Sequence, residues 1–111
     1  MVSQFKLSME LMRKHDPQLQ EDGYWSLLPV AGEHIDELIA EYSAEAENLG
    51  LKRWLLDLIG SAQDPRALPL FESELNSADE SIRDNAVRGL ETLNTKPARE
   101  VLYRWRANAP G

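Results

Sequence analysis

Two histidines, nineteen carboxylates and no cysteine are the chain's means of moving protons, holding metals or attacking carbonyls. A histidine works as a general base or a metal ligand only with a partner held beside it. His15 and His34 lie far apart on different predicted helices, so neither supports the other. The lack of cysteine excludes a thiolate zinc site, a cysteine nucleophile and a disulfide framework, and it fits a reducing compartment. No serine stands in a nucleophile-elbow context, and no glycine-rich stretch could cradle phosphate. With so many carboxylates, some pair always resembles a catalytic dyad. Without a second ligand type at fixed spacing such a pair has no weight. The inventory predicts a non-catalytic protein with no cofactor and no metal.

The acids nevertheless have a pattern. Residues 1–50 hold ten acids against Lys6, Arg13 and Lys14, whereas residues 51–111 hold nine of each sign. The whole net charge of −7 therefore sits in the first half. From Glu21 to Glu47 there are eight acids and no Lys or Arg. Such a surface repels phosphate backbones, which argues against a nucleic-acid partner, and it steers a basic protein. Glu33, Glu37, Glu41 and Glu45 recur every fourth residue, forming one predicted stripe opposite Ile35, Leu38, Ile39 and Tyr42. Like charges at that spacing cost a helix about 0.2–0.5 kcal/mol per pair. The stripe reads either as a tolerated solvated face or as a landing surface for a cationic partner.

These side chains must be positioned by helices. The chain has 111 residues, 42% of them hydrophobic, enough for one small domain and its core. No apolar run approaches the ~20 residues of a membrane span. The opening Met-Val-Ser-Gln-Phe-Lys lacks a signal-peptide layout, so a cytoplasmic protein is expected. Apolar residues recur at three and four, the period of a helix with one buried face. Asp64-Pro65 is a helix start, with an N-cap acceptor followed by Pro at the first helical position. Ser77 and Asp79 offer caps for the next helix, and Asn94-Thr-Lys-Pro97 breaks the chain again. The predicted helices are 3–15, 33–47, 49–62, 65–77, 79–94 and 97–108. Residues 16–32, with Pro17, Gly23, Pro29 and Gly32, read as irregular. Tyr24–Leu28 within them is a possible short helix packing its aromatics on the first helix pair.

Two of these segments are copies of others. Asp64–Phe71 matches Lys96–Tyr103 at a spacing of 32, with Pro second and an apolar-aromatic run at the end. Leu51–Ala62 matches Ile82–Leu93 at a spacing of 31, apolar residues aligning at 51/82, 55/86, 56/87, 59/90 and 62/93 and Lys52 aligning with Arg83. A degenerate earlier copy sets Ile35, Leu38 and Ile39 before Ala67, Leu70 and Phe71. On a helical wheel with Leu51 at 0°, Trp54 falls at about 300°, Asp57 at about 240° and Arg53 at about 200°, beyond the apolar arc. Asn85, Arg88 and Asp84 take the same angles one repeat later. Trp54 is therefore expected to face solvent as an anchor. Trp105 and Tyr103 are expected in the core, with Arg104 and Arg106 on a solvated face.

The run Asp64-Pro-Arg-Ala-Leu-Pro-Leu-Phe71, with the helix after it and Lys96-Pro-Ala-Arg99, resembles the HEAT repeat. The resemblance is strongest over 64–105 and weaker over 33–63. Trp54, Asn85 and Gly89 depart from the pattern, as does a first repeat without the Pro signature. It implies an all-α, right-handed α-α superhelix of about two and a half hairpins. Residues 1–32 would form an N-terminal cap, and 33–63, 64–95 and 96–108 the repeat units of a single domain, 1–111. Stacked repeats lean on their neighbours and need atypical ends. The resemblance also implies that second helices line a concave surface, presenting Arg53, Trp54, Asp57, Asp84, Asn85 and Arg88. Short solenoids of this kind bind proteins. Together with the charge, this points to an acidic immunity protein that neutralises a toxin, for example a basic nuclease. A scaffold or adaptor without a toxin is the alternative. HEAT-like bilin lyases need a larger concave surface, and HEAT-like DNA glycosylases need a basic groove.

Overall fold

The computed structural model describes residues 3–108, so the predicted domain's residues 1–2 and 109–111 lie outside the described residues. These residues fold entirely as helices and turns, with no strand among them. The α-helices are α1 (Gln4–Met12), α2 (Pro17–Leu27), α3 (Ile35–Ala44), α4 (Leu49–Ser61), α5 (Leu68–Glu74), α6 (Glu80–Leu93) and α7 (Lys96–Asn108). Two 3-10 segments, Leu28–His34 and Pro65–Ala67, lead into α3 and α5.

The starts follow the predicted capping chemistry. The carboxylate of Asp64 accepts from the Arg66 N–H and that of Asp79 from Ile82; α7 starts on a cap not expected from the sequence, the Thr95 hydroxyl accepting from Ala98. Asp16 does the same for Gln18 and Leu19 ahead of Pro17, which starts a helix where an irregular segment was expected. Gly23 is not a breaker there. A Cβ at Gly23 would stand 2.6 Å from the Ser8 carbonyl oxygen, so glycine lets α2 cross α1 closely. The first helix also stops at Met12, short of the predicted 15. The N-terminal part is thus a helical hairpin, α1/α2.

Hairpins α3/α4 and α5/α6 follow, and α7 packs on α6. The second helices α4 and α6 lie side by side in a close crossing. A Cβ at Gly60 would be 3.6 Å from the Gly89 Cα, and one at Gly89 would be 2.5 Å from the Phe71 ring. Gly89 therefore admits the buried Phe71 ring beneath the two helices. One buried cluster runs from Phe5 to Leu102. The body measures 47 × 25 × 20 Å with a radius of gyration of 14.3 Å, more extended than the ~13 Å of a sphere-like chain of this length.

The repeat has a polar signature as well. Lys52 donates to the Tyr42 and Glu45 carbonyls at the end of α3, and its ammonium lies 4.0 Å from the centre of the Tyr42 ring. Arg83, its counterpart, donates to the Ser77 carbonyl beyond α5. The shared base thus reaches back to carbonyls at the end of α3 in one repeat and in the turn after α5 in the next. Both second helices end at a left-handed residue, Gln63 (φ 51°) and Asn94 (φ 48°), 31 positions apart in the chain. Two polar cross-links join α3 to the segment that starts the next hairpin. Arg66 pairs with Asp36 at 2.9 Å, and the Tyr42 hydroxyl donates to Glu74 at 2.8 Å.

Candidate protein-binding site

The predicted acidic stripe does not exist as a free column. Glu33 lies in the 3-10 segment before α3, and Glu45 follows the last residue of α3. Arg13, which caps the end of α1, reaches both Glu41, at 2.6 Å, and Glu45, at 3.0 Å. The Glu45 side chain is only 14% exposed. The Asn48 backbone N–H, then Arg13 and the Glu47 N–H, hold its carboxyl below the ordinary range. Half of the stripe therefore holds the N-terminal hairpin in place. Glu37 remains exposed and bonds the His34 ring at 2.7 Å. Helical spacing showed the four acids on one side, but it could not show a cation arriving from another helix.

The row on the second helices is a real surface with one exception. Arg53, Asp57, Asp84 and Arg88 are exposed, and Asn85 is half-buried, accepting from Arg88 at 2.7 Å. Arg53 crosses to the start of α6, donating to Ser81 at 2.5 Å and standing 3.7 Å from Asp79. Asp84, Val87, Arg88 and Trp105 line a shallow recess of about 480 Å³. Trp54 is the exception. It is half-buried and packs on the core, with the Tyr24 ring 4.8 Å away edge-on. The wheel placed it outside the arc of its own hairpin, and α2 covers that angle from outside the repeat.

The exposed aromatic is Trp25 instead, at 59%. Tyr24 sits between the two tryptophans, its ring 5.3 Å from Trp25 at 81° and edge-on to Trp54 at 75°. Its hydroxyl donates to Asp57 of α4. Burial, then that bond and the charge of Asp57, push the Tyr24 phenol up to about 12. The Tyr24–Leu28 aromatics were expected to pack inward, and only Tyr24 does. One and two helical turns earlier on the face of Trp25 stand exposed Glu21, Asp22 and Gln18, the last donating to Asp22 at 3.0 Å. Tyr103 also departs from the expected core position, being 76% exposed, while Trp105 is half-buried against the core. No helix among the described residues covers the outer side of α7.

Among the described residues no group of three or more His, Cys, Asp or Glu could hold a metal ion, and no helix is long and apolar enough to cross a membrane. No protein family, curated protein or solved structure matches the chain.

Proposed function

We propose that this chain is a non-catalytic protein-binding module of the cytoplasm, built as a short HEAT-like superhelix, whose partner is a basic protein. Side-by-side second helices, the Lys52/Arg83 bonds to preceding carbonyls and the paired left-handed ends support the HEAT-like reading. The observation that carries the binding role is Trp25, a large exposed ring backed by Tyr24 and flanked by Glu21 and Asp22. Exposed tryptophans are frequent interface anchors, and an acidic rim speeds the approach of a cationic partner. The row Arg53, Asp57, Asp84, Asn85 and Arg88 continues from that anchor through Asp57 and Tyr24. The role that suits a small acidic module with this surface is neutralisation of a toxin, such as a basic nuclease.

Coexpression with a basic nuclease toxin encoded beside this chain tests the proposal. Growth should be restored and the two proteins should copurify. Trp25→Ala should weaken the complex by about tenfold or more while the melting temperature stays put. A toxin equally lethal with the protein present overturns the reading.

A further inference from the structure

The outer side of α7 carries a second surface, distinct from the Trp25 face. The 32-residue repeat aligns Tyr103 with Phe71. Phe71 is 1% exposed because its ring lies under the crossing of α4 and α6, against Gly60 and Gly89. Tyr103 has the matching neighbour on one side only. Glu91, the counterpart of Gly60 at the 31-residue spacing, lines a groove of about 770 Å³ with Leu90, Leu102 and Tyr103. On the other side, where α6 covers Phe71, nothing among the described residues covers Tyr103. Among the described residues the last hairpin has its first helix and no second.

The charge around the groove selects what completes it. Helix α7 carries Lys96, Arg99, Arg104 and Arg106 against Glu100 alone. Arg99 is occupied with the Asn94 carbonyl at 2.7 Å, and Arg106 stands 3.3 Å from Glu91. Lys96 and Arg104 line, with Glu100, the adjoining recess that shares Tyr103 with the groove. Two copies meeting through this face would bring like charges together. We propose that the groove between α6 and α7 takes an acidic amphipathic helix of another protein, laid against these two helices as α6 is laid over Phe71. Its apolar stripe covers Tyr103, and its carboxylates face Lys96 and Arg104. This is helix-in-groove recognition with the repeat supplying the template.

The probe is a fluorescein-labelled, hydrocarbon-stapled peptide of residues 79–94, the segment that covers Phe71. It carries four acids and two arginines. Fluorescence anisotropy at low salt should give a Kd of about 10–100 μM. Tyr103→Ala should weaken binding about tenfold, and Arg104→Glu should weaken it less, with the fold retained by circular dichroism in both. A peptide that fails to bind at millimolar protein, or binds the Tyr103→Ala protein equally well, overturns the proposal. So does tighter binding of a single-stranded oligonucleotide, or a concentration-dependent dimer abolished by Tyr103→Glu. None of these readouts involves a toxin, so the outcome is independent of the Trp25 face.

Discussion

The junction between α4 and α6 and the junction between the N-terminal hairpin and the rest are built on different principles. The first is a close crossing at Gly60 and Gly89, with the Phe71 ring filling the space below. Its centre depends on shape, and Arg53 of α4 adds one polar link at the edge, to Ser81 and Asp79. The second buries Phe5, Met9, Met12 and Leu27, with Phe5 against the His34 ring at 5.1 Å, but its rim is held by Arg13 on Glu41 and Glu45 and by Tyr24 on Asp57. Ion pairs at a solvent rim contribute little as a class, about 0.2–1 kcal/mol. Interiors packed like crystals respond to single methyl groups, whereas polar rims rearrange. The repeat junction should therefore be rigid and cooperative, and the N-terminal hairpin able to open by itself. Local opening at a fraction of the global stability is a general property of such units.

Removing a ring from each junction gives the largest contrast. Phe71→Ala should cost about 3–5 kcal/mol, at the upper end because the facing glycines have no side chain to refill the void. Unfolding followed by circular dichroism and by tryptophan fluorescence should shift together. Phe5→Ala removes a ring of equal size from the N-terminal hairpin. Hydrogen exchange should then speed up over residues 4–27 and leave α4 and α6 protected. Equal loss of protection in α6 would make the two junctions one cooperative unit.

Glycine crossings exist on both sides and allow a finer comparison. Gly89→Ala drives a methyl group into a buried ring at 2.5 Å, an overpacking that should cost about 1–3 kcal/mol. Gly23→Ala meets the Ser8 carbonyl oxygen, which no side-chain rotation relieves, so α1 must leave α2. Its damage should stay within the N-terminal hairpin, seen as early proteolysis there with α3–α7 intact.

These two glycines also mark what the sequence could and could not disclose. The α3–α7 elements are legible because helix starts, apolar period and a 31–32-residue copy all agree. The N-terminal hairpin has no copy, and Gly23 looks like a breaker until its neighbour across the crossing is known. Asp16-Pro17 is nonetheless the same start signal as Asp64-Pro65, so α2 was written in the chain. Within the candidate site, periodicity placed the exposed charges on α6 correctly. It missed Trp25 and misjudged Trp54 and Tyr103, because a wheel describes one helix and exposure depends on what lies across from it. The covering of Trp54 by Tyr24 is a contact between residues thirty positions apart. No local rule contains that information.

High pH should separate the junctions more gently. The Tyr24 phenol is held at about 12 against an ordinary value near 10, by burial and by its bond to Asp57. A raised phenol means that the folded state binds the proton more tightly than the unfolded chain. Its stabilising contribution is complete below about pH 10 and is lost as pH rises through about 12. Tyr24 joins α2 to α4, so the N-terminal hairpin should loosen first, visible as a change in Trp25 and Trp54 emission. In Tyr24→Phe the fluorescence step near pH 12 should disappear. An unchanged step would assign it to another group and remove Tyr24 as the alkaline hinge.

The smallest effect lies on the repeated side of the molecule, at the ends of its second helices. Gln63 and Asn94 both adopt the left-handed conformation, but only Asn has a side chain suited to it. Left-handed backbone costs an ordinary L-residue about 1–2 kcal/mol, and glycine returns roughly 0.5–1 kcal/mol of that through its more flexible unfolded state. Gln63→Gly should therefore stabilise the protein by about 0.5–1 kcal/mol, whereas Asn94→Gly should change little. The gain should appear as a higher denaturation midpoint at an unaltered slope, the mark of stability without altered compactness. Because Gln63 ends α4, that gain should reach α6 through the rigid crossing and slow exchange in both helices, leaving α1 and α2 as they were. A gain confined to α4 would mean that the crossing at Gly60 and Gly89 does not couple the repeats.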